Sequence, residues 1–158
     1  MALKGENLMG LVSKEKSHCL NESAAHPWKH LLGGGGLVSD ADEQLLLTLA
    51  LNQTVRLTGL SIGLPLNETC PHKIKLFINN ENLGFDEAGE RPPTQELVIA
   101  DPGQSTFDFN LQAVKWQRTD SISLFVESNH GAGVSSITSV AIYGSTINGT
   151  DVSKIKGC

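Results

Sequence analysis

From Gln44 onward the chain is a succession of short apolar segments that alternate residue by residue and are cut apart by Asn, Gly, Pro and Asp. A period of two confines such a chain to β-structure. "KIKLFIN" places Ile74, Leu76 and Ile78 on one face, and "STFDFNL" does the same with Phe107, Phe109 and Leu111. "AVKWQR" predicts a strand with Val114 and Trp116 pointing one way. "SISLFVES" carries Ile122, Leu124 and Val126, and "SVAIYG" carries Val140 and Ile142 before Gly144 ends the run. In "TVRLTGLSIGL" Val55 and Leu57 share a face, and the parity changes at Gly59 so that Leu60, Ile62 and Leu64 continue the pattern. One extra residue reverses which side chains face a core, so the switch predicts a β-bulge. With "EQLLLTLA" and "QELVIA" about eight strands result, which suits an all-β sandwich or jelly roll.

The segment before the strands has another character. "HPWKHLL" ends at Gly33; Pro27 fits a first helical turn and glycine fits the position after a helix end, so a short helical turn is expected near the N-terminus. The run Gly33 to Gly36 then forms a flexible joint. Residues 1–17 read as a flexible N-terminal extension, 18–152 as one β-domain and 153–158 as a C-terminal tail. At 158 residues a single domain buries roughly 68–70% of its unfolded surface, enough for a core that needs no staples.

A formal net charge of -5 with scattered lysines argues against a surface that tracks phosphates, so no nucleic-acid partner is expected. No apolar run is long enough to span a membrane. The three cysteines, Cys19, Cys70 and Cys158, include no Cys-x-x-Cys spacing and read as free thiols of a reducing compartment. Cys19 is expected to be buried, reduced and structural. "MALKGENLMGLVSKEKSH" lacks the continuous apolar stretch of a signal peptide, so the sequons at Asn21, Asn52, Asn67 and Asn148 are expected to stay bare.

Few residues assemble into chemistry. In "SDADEQLLLTLALNQTVRL", Asp40 and Asp42 have the spacing of the first two ligands of a calcium loop, but Gln44 and Leu45 stand where a third ligand and a glycine are needed. The favoured reading is an acidic turn, Asp40, Asp42 and Glu43, with side chains in water at the entry to a buried strand. His26 and His30 could share a helix face, yet Pro27 and irregular spacing favour surface histidines over a metal site. No G-x-S-x-G elbow or phosphate-binding glycine loop occurs, and no cofactor is expected. Jelly rolls often bind carbohydrate through exposed aromatic rings. Trp116 and Tyr143 lie inside strand patterns. Trp28 is left as either a surface ring or a plug over one end of the sandwich, and His130 reads as a loop-tip residue.

Five segments in order resemble the PITH family, named for the proteasome-interacting thioredoxin domain: "CLNES" at 19–23, "SDADEQLLL" at 39–47, "IKLFIN" at 74–79, "AVKWQRTDSISLFVESNHG" at 113–131 and "IYGSTINGTD" at 142–151. Departures are Trp116 where family members usually carry Phe, Leu51 where an aromatic is common, and the uncharged "HGAGVSS" loop. The resemblance implies a jelly-roll β-sandwich and a cytoplasmic, or also nuclear, location. The chain carries no thioredoxin active-site motif, so it looks like the family members that stand without a thioredoxin domain, and no redox activity is expected. The expected function is a non-enzymatic, monomeric protein-interaction module docking on the proteasome regulatory particle. Trp28, Asp40, Asp42, Glu43 and His130 are the candidate partner-binding residues. The alternative is a small-ligand or carbohydrate-binding jelly roll.

Overall fold

The computed structural model describes residues 5–147. The expected C-terminal tail, Cys158 and the Asn148 sequon lie outside them. Ten strands, one α-helix and three 3-10 helices follow the order β1 (Glu6–Asn7), a 3-10 helix Met9–Leu11, β2 (His18–Leu20), a 3-10 helix Trp28–Leu32, β3 (Leu37–Val38), β4 (Leu45–Gly63) and β5 (Pro71–Ile78). The helix α1 (Phe85–Glu90), β6 (Gln95–Val98), β7 (Thr106–Asn110), a 3-10 helix Ala113–Lys115, β8 (Thr119–Asn129), β9 (Ser136–Ile137) and β10 (Ser139–Thr146) complete it.

Hydrogen bonding runs antiparallel through β1-β10-β4-β8-β5-β6, with β2 and β7 also on β4 and with β3 paired to β9. Strand β4 is therefore the spine. Its first half, Leu45 to Ala50, lies between β2 and β8, and its second half, Val55 to Gly63, lies between β10 and β7. The two expected segments "EQLLLTLA" and "TVRLTGLSIGL" are thus one strand with an irregularity between Ala50 and Val55. Leu45, Leu47 and Leu49 of the first half and Val55, Leu57, Leu60 and Ile62 of the second all enter one main core. This is the jelly-roll sandwich that the alternation predicts.

The expected bulge is present: Tyr143 opposes Gly59 while Gly144 opposes Leu57, so Thr58 is the extra residue. Gly144 does not end β10, which runs to Thr146. Instead a Cβ there would sit on the carbonyl oxygen of Arg56, so glycine is required by close backbone approach inside the strand.

The first half of β4 is buried on both faces. Outside the main core, Leu46, Phe77 and Phe125 form a second cluster covered by Leu83 and by Ala88 of α1. Covering the outer face explains why this stretch reads as a nearly continuous apolar run.

Three expectations are corrected. Residues 5–17 are not a loose extension: β1 pairs with β10, and Leu8 and Val12 are buried in the main core. The polar residues just before them, Glu6 and Asn7, point to water and mask the pattern. Segment 113–115 is a 3-10 turn rather than strand, and its tighter period leaves Val114 83% exposed while Trp116 is fully buried. Trp28 is the plug, 3% exposed, so it offers no ring to a partner.

Candidate functional site

The motifs separated in sequence meet at one corner of the sandwich, and Asn21 is its hub. Its backbone adopts the left-handed conformation, φ 68°, which asparagine tolerates better than most residues. From there its Nδ2 donates to Asp42 Oδ1 at 2.9 Å, to the Gln44 carbonyl at 2.7 Å and more weakly to the Asp42 carbonyl at 3.4 Å. Its Oδ1 accepts the N–H of Ala41 at 3.0 Å, and its carbonyl accepts the N–H of Asp40 at 2.9 Å. One side chain therefore satisfies the turn 40–44 that would otherwise present unpaired backbone groups.

The rest of "CLNES" has equally local work. Glu22 Oε1 accepts the N–H of Trp28 at 2.8 Å, filling an orphan donor at the start of the 3-10 helix. Ser23 Oγ accepts the N–H of His26 at 3.0 Å. Cys19 in β2 opposes Leu47. Burial pushes its thiol well above the ordinary value, the Glu22 carboxylate adds to the rise, and a backbone hydrogen bond from Leu46 opposes it. The thiol is protonated and a poor nucleophile. Burial likewise raises Cys70.

The third component is the loop 129–135. Ser135 Oγ donates to the Glu43 carbonyl at 2.6 Å, the Ser135 N–H donates to Ser39 Oγ at 2.8 Å, and Ser39 Oγ donates to the Asp42 carbonyl at 2.5 Å. Asn129 Nδ2 closes its own loop onto the Ala132 and Val134 carbonyls at 3.0 and 2.9 Å. Ser39 and Ser135 are buried. A buried polar chain of this kind is stable only when each member finds its partner.

Of the candidate residues, Asp40 and Asp42 are exposed and Glu43 is partly so, all on this corner. Asp42 is not merely solvated, because its Oδ1 also accepts the Gln44 N–H at 3.0 Å. The reading of three carboxylates wholly in water is corrected for Asp42. His130 is half-buried: its Nε2 donates to the Ile99 carbonyl at 2.8 Å and its ring meets that of His72 edge to face at 5.3 Å. It lies within the corner's loop, whereas Trp28 lies in the core. Among the described residues no group of three His, Cys, Asp or Glu side chains could hold a metal. Sequence reasoning missed Asn21, Ser39, Asn129 and Ser135; the signal was the clustering of Asn and Ser beside turns, where such side chains bond backbone groups.

The fold is a jelly-roll β-sandwich whose corner loops are fixed by this lattice. The model of the PITH domain matches residues 2–157, and the chain belongs to the PITH domain family. Thioredoxin-like protein 1 of Schizosaccharomyces pombe is 29% identical over 160 residues, covering 95% of this chain and 55% of that protein. PITH domain-containing protein 1 of Danio rerio is 29% identical over 126 residues, 75% of this chain and 60% of that protein. PITH domain-containing protein ZK353.9 of Caenorhabditis elegans is 32% identical over 106 residues, 67% and 50%. The chain thus spans about half to three fifths of the length of these curated relatives. Among solved structures, CpGH89CBM32-5 from Clostridium perfringens, in complex with GalNAc-β-1,3-galactose, superposes with a TM-score of 0.67 at 14% identity over 88% of this chain and all of that one. The fucolectin of Morone saxatilis serum gives 0.61 at 13% identity over 92% and 49%. At such identities the likeness is one of fold.

Proposed function

We propose that the chain is a non-enzymatic protein-interaction module that docks, as a monomer, on the proteasome regulatory particle in the cytosol or nucleus. Membership of the PITH family across residues 2–157 carries this reading. The corner suits a docking surface, because a rigid lattice presents Asp40 and Asp42 at little ordering cost. The compartment has support from Asn21: its Nδ2 is spent on Asp42 and Gln44, so a glycan on this sequon would displace bonds that hold the corner. The carbohydrate alternative is disfavoured because both tryptophans, Trp28 and Trp116, are buried.

The test is affinity purification from cytosol with mass spectrometry at low and raised salt. Regulatory-particle subunits are expected at low salt and should fall away as salt screens the corner. Recovery of none under gentle salt sinks the reading.

A further inference from the structure

An open cleft of ≈ 440 Å³ lies beside β10, between the N-terminal segment and the 3-10 helix Trp28–Leu32. Met9, Leu31, Leu32, Val140 and Ala141 line it, and Lys14 joins them at the rim. The cleft coincides with a gap in strand pairing. β1 pairs with Tyr143 and Gly144, and Leu8 extends the ladder by donating its N–H to the Ile142 carbonyl at 2.8 Å. Just upstream, β3 occupies Ser136 and Ile137. Between these, residues 139–141 have β4 along their inner edge and no strand along the outer one.

Backbone direction alternates along an antiparallel strand, so an outward Ile142 carbonyl places the N–H and C=O of Val140 on the same outer edge. No other described strand reaches them. Three residues of strand amount to roughly 10 Å. The charge on the walls is also unspent. Lys14, the cation among the lining residues, makes no ion pair among the described residues.

We propose that this gap receives the free C-terminus of a partner protein, its last apolar residues adding a short strand against Val140 and its α-carboxylate meeting Lys14. The proposal rests on the interaction-module reading. A gap bounded on both sides by the chain's own strands takes a chain end rather than a strand running through, and backbone pairing with side-chain contacts supplies the affinity. The apolar side chains of that end rest on Met9, Leu31 and Leu32.

The experiment is fluorescence polarisation with a labelled hexapeptide, Gly-Ser-Gly-Leu-Val-Leu, as the free acid and as the C-terminal amide. The acid is expected to bind at least about tenfold more tightly than the amide. Lys14→Gln should bring the acid down to the amide's affinity and leave the amide unchanged. Val140→Pro should abolish binding of both, since it deletes an outward N–H that the sheet itself does not use. Leu32→Asp, at a half-exposed position, should do the same without touching the strand. Equal affinity of acid and amide, indifference to Lys14→Gln and Leu32→Asp, or no binding by the acid would overturn the proposal. Proteasome recovery is measured on the same proteins. Recovery without peptide binding removes the cleft and leaves the docking reading intact, whereas peptide binding without recovery does the reverse.

Discussion

The acidic corner and the end closed by residues 5–17 are held together by different physics. At the corner, Asn21, Ser39, Asp42, Asn129 and Ser135 form directional bonds in which each side chain has named partners. Beneath residues 5–17 and in the 3-10 helix Trp28–Leu32, Leu8, Val12, Trp28 and Leu31 fill volume. Hydrogen bonds demand one residue type at one position, while packing accepts any apolar side chain of suitable size. The corner is therefore spelled out in short motifs, and the packed end is nearly silent in sequence.

Substitutions can break that contrast. Trp28→Ala should have the largest effect, about 3–5 kcal/mol by chemical denaturation, because a cavity is left under the N-terminal segment. Trp28→Phe, which keeps most of the volume, should cost much less; equal losses for the two would mean that the packed end is also specified by identity.

Asn21→Ala should cost about 1–3 kcal/mol through backbone groups left without partners. Asn21→Asp sharpens the point, since it sets a second carboxylate where Nδ2 now lies 2.9 Å from Asp42 Oδ1. Its stability should recover as pH falls through the carboxylate range and repulsion is removed. A pH-independent Asn21→Asp would show that the corner does not depend on this bond.

Neutralising Asp40, Asp42 and Glu43 as Asn, Asn and Gln should change stability by less than about 1 kcal/mol, because an amide oxygen at position 42 still accepts the Gln44 N–H. The fold should survive while salt-sensitive proteasome recovery falls. Severe unfolding would show that charge, and not acceptor geometry, holds the turn.

The smallest expected effect is at Cys19. Alkylation in the folded protein should be slow, since desolvation and Glu22 keep the thiol protonated. With the folded value raised, the contribution to stability is complete below the unfolded thiol's value of about 8.5 and declines as pH rises above it. Rapid alkylation at neutral pH would contradict a protonated thiol at this half-buried position.

Much of the β-framework was legible because strand alternation is a local property: Ile74, Leu76, Ile122, Leu124 and Val126 are buried as their period requires. The bulge beside Gly59 was legible for the same reason, as a change of parity within one segment. Gly144 shows the limit, for glycine as a strand end and glycine under a neighbouring carbonyl look alike until β4 is placed beside it. Val114 and Trp116 show it again: spacing of two residues fits a strand, and only the 3-10 turn separates their faces.

By itself the sequence determined the β-class, the jelly-roll register of its apolar residues and the family to which the motifs belong, since each depends on neighbours close in the chain. Only the tertiary structure decided that Asn21 clamps Asp42, that Ser135 reaches Glu43, that Trp28 is inside, and that β10 keeps an open edge beside Lys14. Those outcomes depend on distances between segments far apart in the chain, 92 residues for Ser135 and Glu43, which chain closure fixes and local pattern does not.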